Sequence, residues 1–158
     1  MIKLLRLLFT FVTLYGGEIL FPLPNHHTLF VHQLKKALKD APRILIITPS
    51  FNHPLLEKEI LNAAKRGSDV TLMVHDPRGN PLSMVQYERI NLYTIPRAVE
   101  QSVFLIDDTL VCTVDGAIHE KEFASKHSPI RCSDDSGKIK AIRYSIHPVM
   151  KHSRSYLE

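Results

Sequence analysis

At 158 residues, with 44% hydrophobic and 23% charged content, the chain has the size and apolar share of one globular domain with a real core. Ten prolines against six glycines, with no repeat period and no low-complexity tract, exclude a fibrous or disordered chain. The formal net charge is +4, but Lys3 and Arg6 lie in the N-terminal leader, and the +2 left without them is a weak argument for a polyanionic partner.

The first 17 residues read as a secretory signal: Lys3 and Arg6 precede an apolar stretch from Leu7 to Tyr15, followed by Gly16, Gly17 and Glu18. The stretch is too short to span a bilayer comfortably. No Ala-x-Ala site follows, and cleavage after Gly17 would place bulky Tyr15 upstream of the cut, so uncleaved membrane anchoring and a buried first strand or helix stand as the other readings. The expected organisation is a signal peptide or anchor over 1–17, one domain over 18–152 and a frayed tail over 153–158, with a periplasmic, secreted or inner-membrane-anchored location.

Glu18 to Leu23 reads as a short strand stopped by Pro22 and Pro24, with Asn25 as a helix cap. Phe30, Val31, Leu34, Leu38 and Ala41 then recur at helical spacing until Pro42. Ile44 to Ile47 is an apolar, partly β-branched run that suits a strand covered on both faces. After a turn-rich passage, Asn52 or His53 can cap a helix that has Pro54 in its first turn and Leu56, Ile60, Ala63 and Ala64 as its buried stripe. Lys65 and Arg66 suit the C-terminal dipole, Gly67 suits a left-handed stop, and Val70 to Val74 is the next strand. Strand, helix, strand at this spacing predicts a parallel βαβ unit with a right-handed crossover. Ile90 to Ile95 is a weaker strand, and Val103 to Ile106 and Leu110 to Val114 flank a tight turn at Asp107 and Asp108. Further on, His119 to Lys126 reads as helical, and Ile130 to Cys132 and Ile139 to Tyr144 as strands.

Most polar candidates have ordinary structural roles. His26, His27 and His32 lack paired-ligand spacing and an acidic neighbour, so they are expected as exposed residues at the helix start, not as a metal site. His53 and His75 follow strands, where capping or a turn hydrogen bond is favoured over phosphate binding. Cys112 and Cys132 fit neither a zinc spacing nor Cys-x-x-Cys; they read as buried residues in neighbouring strands, with a disulfide as the alternative in an oxidising compartment. Gly-x-Ser-x-Gly and Gly-rich phosphate loops are absent, and no cofactor or metal is expected.

The run Ile44-Leu-Ile-Ile-Thr-Pro-Ser-Phe-Asn-His53, then Glu59-Ile-Leu-Asn-Ala-Ala-Lys-Arg-Gly67 and Val70-Thr-Leu-Met-Val-His-Asp76, resembles the first half of the phospholipase D superfamily. More narrowly it is similar to the small secreted bacterial nucleases with one catalytic motif per chain, and Phe104-Leu-Ile-Asp-Asp108 continues the likeness. The resemblance implies an α/β fold, a phospholipase D-like single domain with a mixed, mostly parallel sheet flanked by helices. It also implies pairing of two chains, as a homodimer or with a paralogue, so that two half-sites meet at one phosphate.

In that family the motif is His-x-Lys, four residues, then Asp, with a Gly-Ser step beyond. The imidazole attacks phosphorus, a second histidine protonates the leaving oxygen, and the lysines offset charge on the phosphoryl oxygens. Matching Asp108 to the aspartate puts Gln101 at the histidine and Val103 at the lysine, and neither side chain can do that work. Shifting the match to Asp107 gives Glu100 and Ser102, which is no better, and Asp115 would repel a phosphate. His119-Glu120-Lys121 repeats the His-x-Lys spacing, but Lys126 stands where the aspartate belongs; His119 and Lys121 are the substitutes a relocated site would use, against an exposed helix face. Lys138, Lys140 and Arg143, with Lys151 and Arg154, read as a solvated edge and tail or as a track for a phosphodiester backbone. The expected function is a catalytically inactive phospholipase D-like protein that binds phosphodiester or nucleic acid, DNA or RNA, or acts as a scaffold. An active phosphodiesterase using a relocated or partner-supplied histidine is the alternative.

Overall fold

The computed structural model describes residues 14–15 and 18–157. The leader reading falls mainly on residues 1–13 and 16–17, which lie outside them. Strand β1 (Leu14–Tyr15) pairs antiparallel with β2 (Glu18–Phe21). Helix α1 (His27–Lys39) buries Phe30, Leu34 and Leu38; its cap position is His26, not Asn25, and no side-chain cap bond is made there.

The βαβ unit forms as the apolar pattern requires. Strand β3 (Arg43–Asn52), helix α2 (Pro54–Lys65) and β4 (Asp69–Asp76) follow in order, with β3 and β4 parallel from Arg43↔Asp69 to Ser50↔Asp76. Gly67 sits at φ 107°, the left-handed conformation that lets the chain leave α2. A short helix α3 (Asn80–Met84), not read from the sequence, precedes β5 (Ile90–Thr94), which pairs parallel with β4. Strands β6 (Gln101–Ile106) and β7 (Leu110–Asp115) form the expected hairpin around Asp107. Then come β8 (Ile118–His119), α4 (Glu120–Phe123), β9 (Ile130–Ser133), α5 (Ser136–His152) and β10 (Arg154–Ser155).

The sheet order is β1-β2-β9-β7-β6-β3-β4-β5-β10, with β8 beside the end of β3. The mixed α/β domain with flanking helices agrees with the expected fold class; parallel pairing is confined to β3-β4-β5 and to β3 with β8. Strand alternation sorts the core into two faces. Ile46, Leu72 and Phe104 pack with Phe30, Leu34, Leu56 and Ile60 of α1 and α2, while Ile47, Met73, Val103 and Leu105 pack with Ile139 and Ile146 of α5.

The C-terminal third departs from the sequence reading. Ile139 to Tyr144 is helix, not strand, because Ile139, Ile142, Ile146 and Val149 share one face at helical spacing and the Asp135 carboxylate accepts the Lys138 amide at 2.9 Å as a cap. The helical segment after His119 is only the single turn of α4. Instead of fraying, Arg154 and Ser155 pair with Thr94 and Tyr93 at the sheet edge. Cys112 and Cys132, opposite each other on β7 and β9, form a disulfide. Among the described residues no helix is long and apolar enough to cross a membrane.

Candidate functional site

The degenerate motif lies on β6. Gln101 opens the strand, and its Nε2 donates to the Asp115 carboxylate of β7 at 3.0 Å. Two residues on, Val103 points to the same face and packs toward α5. Together they line a cleft of about 660 Å³ with Ile47, Glu100, Asp115 and Ile146, and the residues lining it include two carboxylates and no cation. Asp108 is at the far end of β6, in the hairpin turn, paired with Arg43 and Arg143.

Ser102, between the two motif positions, faces the other side and is fully buried. Its hydroxyl is 2.8 Å from that of Thr48, with the carbonyls of Gly116 and Ser50 within 2.6 Å and 2.8 Å of Ser102 and Thr48 respectively. The Ile118 amide donates to Thr48 Oγ1 at 3.3 Å, which ties β8 to the carboxyl end of β3.

This join places His119 against Ser50. His119 Nε2 is 2.7 Å from Ser50 Oγ, and His119 Nδ1 is 3.5 Å from Glu122 Oε1. Neither Thr48, Ser50 nor Glu122 was singled out from the sequence, since single polar residues at strand ends and in a one-turn helix carry no periodic signal. His119 opens onto a cleft of about 460 Å³ with Ser50, Asn52, Asp76, Arg78 and Gly79. That cleft shares no lining residue with the cleft of Val103. Hydrogen bonds from Arg78 hold the Asp76 carboxyl down at about 2. Lys121 is exposed on α4, so the His119-Glu120-Lys121 triplet does not converge on Val103.

The histidines near α1 are not all exposed. His27 Nε2 lies 2.6 Å from His53 Nε2, and the two rings meet each other and Phe123 edge to face. His53 is fully buried and caps α2 by accepting the Leu56 amide on Nδ1 at 3.3 Å, the structural role expected of it. Burial, and then the field of His27, push His53 down to about 4, although a backbone hydrogen bond opposes them. Burial also lowers His27, against the attraction of Glu120. His75 Nδ1 contacts the Ile95 carbonyl at 2.9 Å, a link between the ends of the neighbouring strands β4 and β5 in place of the cap or turn hydrogen bond expected of it. Among the described residues no three His, Cys, Asp or Glu side chains are grouped to hold a metal ion.

The basic track is divided. Lys138 pairs with Glu18 at 3.1 Å and Arg143 with Asp108, whereas Lys140 is exposed. On the outer face of α5, Lys140, Tyr144, His147 and Lys151 follow at helical spacing, all exposed, with Tyr144 at 86%.

No known family profile matches the sequence, and no curated protein sequence matches it either. Solved structures do match in fold. NucT from Helicobacter pylori superposes with a TM-score of 0.77 at 17% identity, over 88% of this chain and 98% of that one. Nuc from Salmonella typhimurium, a phospholipase D family member, gives 0.71 at 19% identity, over 88% and 97%. TrmBL2, an archaeal chromatin protein with a novel mode of DNA binding, gives 0.63 at 15% identity, over 96% of this chain and 59% of that one.

Proposed function

Starting from a fold shared with NucT and with the phospholipase D family member Nuc, we propose that this chain is a member of that superfamily's nuclease branch that does not hydrolyse phosphodiesters and serves as a nucleic-acid-binding module. The observation that carries this is the state of the motif. Gln101 is tied to Asp115, and Val103 faces a cleft whose charged lining residues are both acidic. A phosphate there would meet repulsion without a nucleophile, a proton donor or a cation. The relocated pair offers no repair, because His119 is engaged by Ser50 and Glu122 in a separate cleft.

Binding is supported by the outer face of α5, where Lys140 and Lys151 can meet phosphates while Tyr144 offers a ring for a base to stack on. TrmBL2 supports the same reading, since its chromatin role rests on a chain that contains this fold. The disulfide suits a periplasmic or secreted location. Pairing of two chains, as a homodimer or with a paralogue, belongs to the same proposal.

The test is incubation of the purified protein with single-stranded DNA and with bis-p-nitrophenyl phosphate, alongside a binding titration at several salt concentrations. The expected result is salt-sensitive DNA binding with no turnover of either compound, and binding weakened about tenfold by Tyr144→Ala. Robust cleavage by the unmodified chain, lost in a folded His119→Ala variant, overturns the proposal in favour of an active phosphodiesterase. Binding that ignores salt and Tyr144→Ala overturns the nucleic-acid part.

A further inference from the structure

Beyond the phosphodiester reading and independent of it, we propose that Ser50, His119 and Glu122 form a serine esterase centre in the cleft at the carboxyl ends of β3 and β4. The three side chains come from separate places and meet in order. Ser50 is near the end of β3, His119 is held beside that end by the parallel pairing of Asn52 with His119, and Glu122 follows one turn later on α4.

The distances have the polarity that nucleophilic catalysis needs. Ser50 Oγ is 2.7 Å from His119 Nε2, and the carboxylate of Glu122 stands 3.5 Å from Nδ1. A proton on Nδ1, facing Glu122, leaves Nε2 as the acceptor for the serine hydroxyl. Both the serine and the imidazole are only partly buried, and both line a cleft of about 460 Å³ that a small substrate can occupy. The interlocked hydroxyls of Thr48 and Ser102 beneath fix the join between β8 and β3, so the pair is held by buried structure and not by a loose loop.

In the first half of the reaction Ser50 Oγ attacks the carbonyl carbon of an ester, an Oγ–C bond forms, and the hydroxyl proton passes to His119 Nε2. The tetrahedral adduct collapses by breaking the bond to the alcohol oxygen, which leaves with the proton from Nε2. Water then repeats the sequence on the acyl-serine, giving its proton to His119 and releasing the carboxylic acid as Ser50 recovers its proton. The Asn52 carboxamide and the Arg78 guanidinium are among the donors lining the cleft, and we assign them to the oxyanion. Ser50 and His119 are the catalytic residues; Glu122 is a positioning residue.

The chemistry of the cleft selects carboxylic esters over phosphodiesters. Its cation, Arg78, is bound through Nε and Nη2 to Asp76, and Glu122 adds a second carboxylate behind the histidine. That balance tolerates the single developing charge of acyl transfer and opposes an anionic phosphodiester.

The experiment uses the full chain with p-nitrophenyl acetate and, separately, a fluorophosphonate followed by tryptic mass spectrometry. The expected adduct is on the peptide of residues 44–58, in which Ser50 is the only serine. Ser50→Ala and His119→Ala are expected to lower kcat/KM at least 100-fold. Glu122→Gln, at an exposed position, is expected to lower kcat about tenfold with KM unchanged and Glu122→Asp to restore part of it. Folded protein that fails to turn over the acetate, an adduct elsewhere, or a Ser50→Ala variant as active as the parent overturns the proposal. Cleavage of bis-p-nitrophenyl phosphate that depends on Ser50 overturns the choice of substrate class, and is read separately from loss of DNA binding.

Discussion

At the scale of single residues, His53 carries the clearest consequence for solution behaviour. Its ordinary value is 6.5 and its value in the fold is about 4, so it stays neutral in the folded chain where the unfolded chain already takes up a proton. Above pH 6.5 both states are neutral and the full stability is present. As pH falls from 6.5 toward 4 the unfolded state gains a proton that the folded state refuses, and stability drops, by roughly 2–3 kcal/mol over the window. His27, lowered for the same main reason, acts in the same direction. Urea unfolding at pH 7.5, 5.5 and 4.5 should show this decline, and His53→Asn, which keeps a capping acceptor, should flatten it. An equally steep decline in that variant would assign the pH dependence to other groups. The residue scale also marks a limit of legibility. Gln101 and Val103 could be located because they sit a fixed distance from Asp108 along an alternating strand. Ser50 could not, because its partner His119 lies 69 residues beyond it and only the fold brings the two within reach; Glu122, three residues after His119, carries no periodic signal in a one-turn helix.

At the scale of elements, the βαβ unit was readable because every local signal agreed. The apolar run of β3, the cap at His53, Pro54 in the first turn and Gly67 at the stop all point to the same structure. The segment Ile139 to Tyr144 reads as a strand because Ile139-Lys140-Ala141-Ile142 is short enough to fit one, yet the helix runs on from Ser136 to His152 with Pro148 inside it. The cap at Asp135 and the run to Val149 resolve the ambiguity. Since Ile139 and Ile146 of α5 pack on the sheet face of Ile47, Met73 and Val103, truncating this anchor should be costly. Ile146→Ala is expected to destabilise the protein by about 2–4 kcal/mol and Asp135→Ala by about 1 kcal/mol in chemical denaturation. Equal, negligible losses from both would mean that α5 is not packed on the sheet as described.

Across the whole molecule, the order of the sheet was beyond sequence reasoning, since β2 pairs with β9 and β7 with β9 across long stretches of chain. The disulfide, an alternative in the sequence because the cysteines match no motif, is decided by the same non-local pairing, since the register of β7 on β9 sets Cys112 and Cys132 opposite each other. Closing a separation of 20 residues, it is expected to contribute about 3 kcal/mol through the unfolded chain, to be measured as a lower unfolding midpoint in reducing buffer. The bond has a second effect, on local motion. The covalent ring from Cys112 to Cys132 encloses β8 and α4, and therefore His119 and Glu122, while Ser50 lies outside it. Reduction should let that segment open before the rest of the sheet, visible as faster amide hydrogen exchange over residues 113–131 than over β3 and β4. The oxidation state of one cross-strand bond would then govern how long the imidazole stays within reach of its serine.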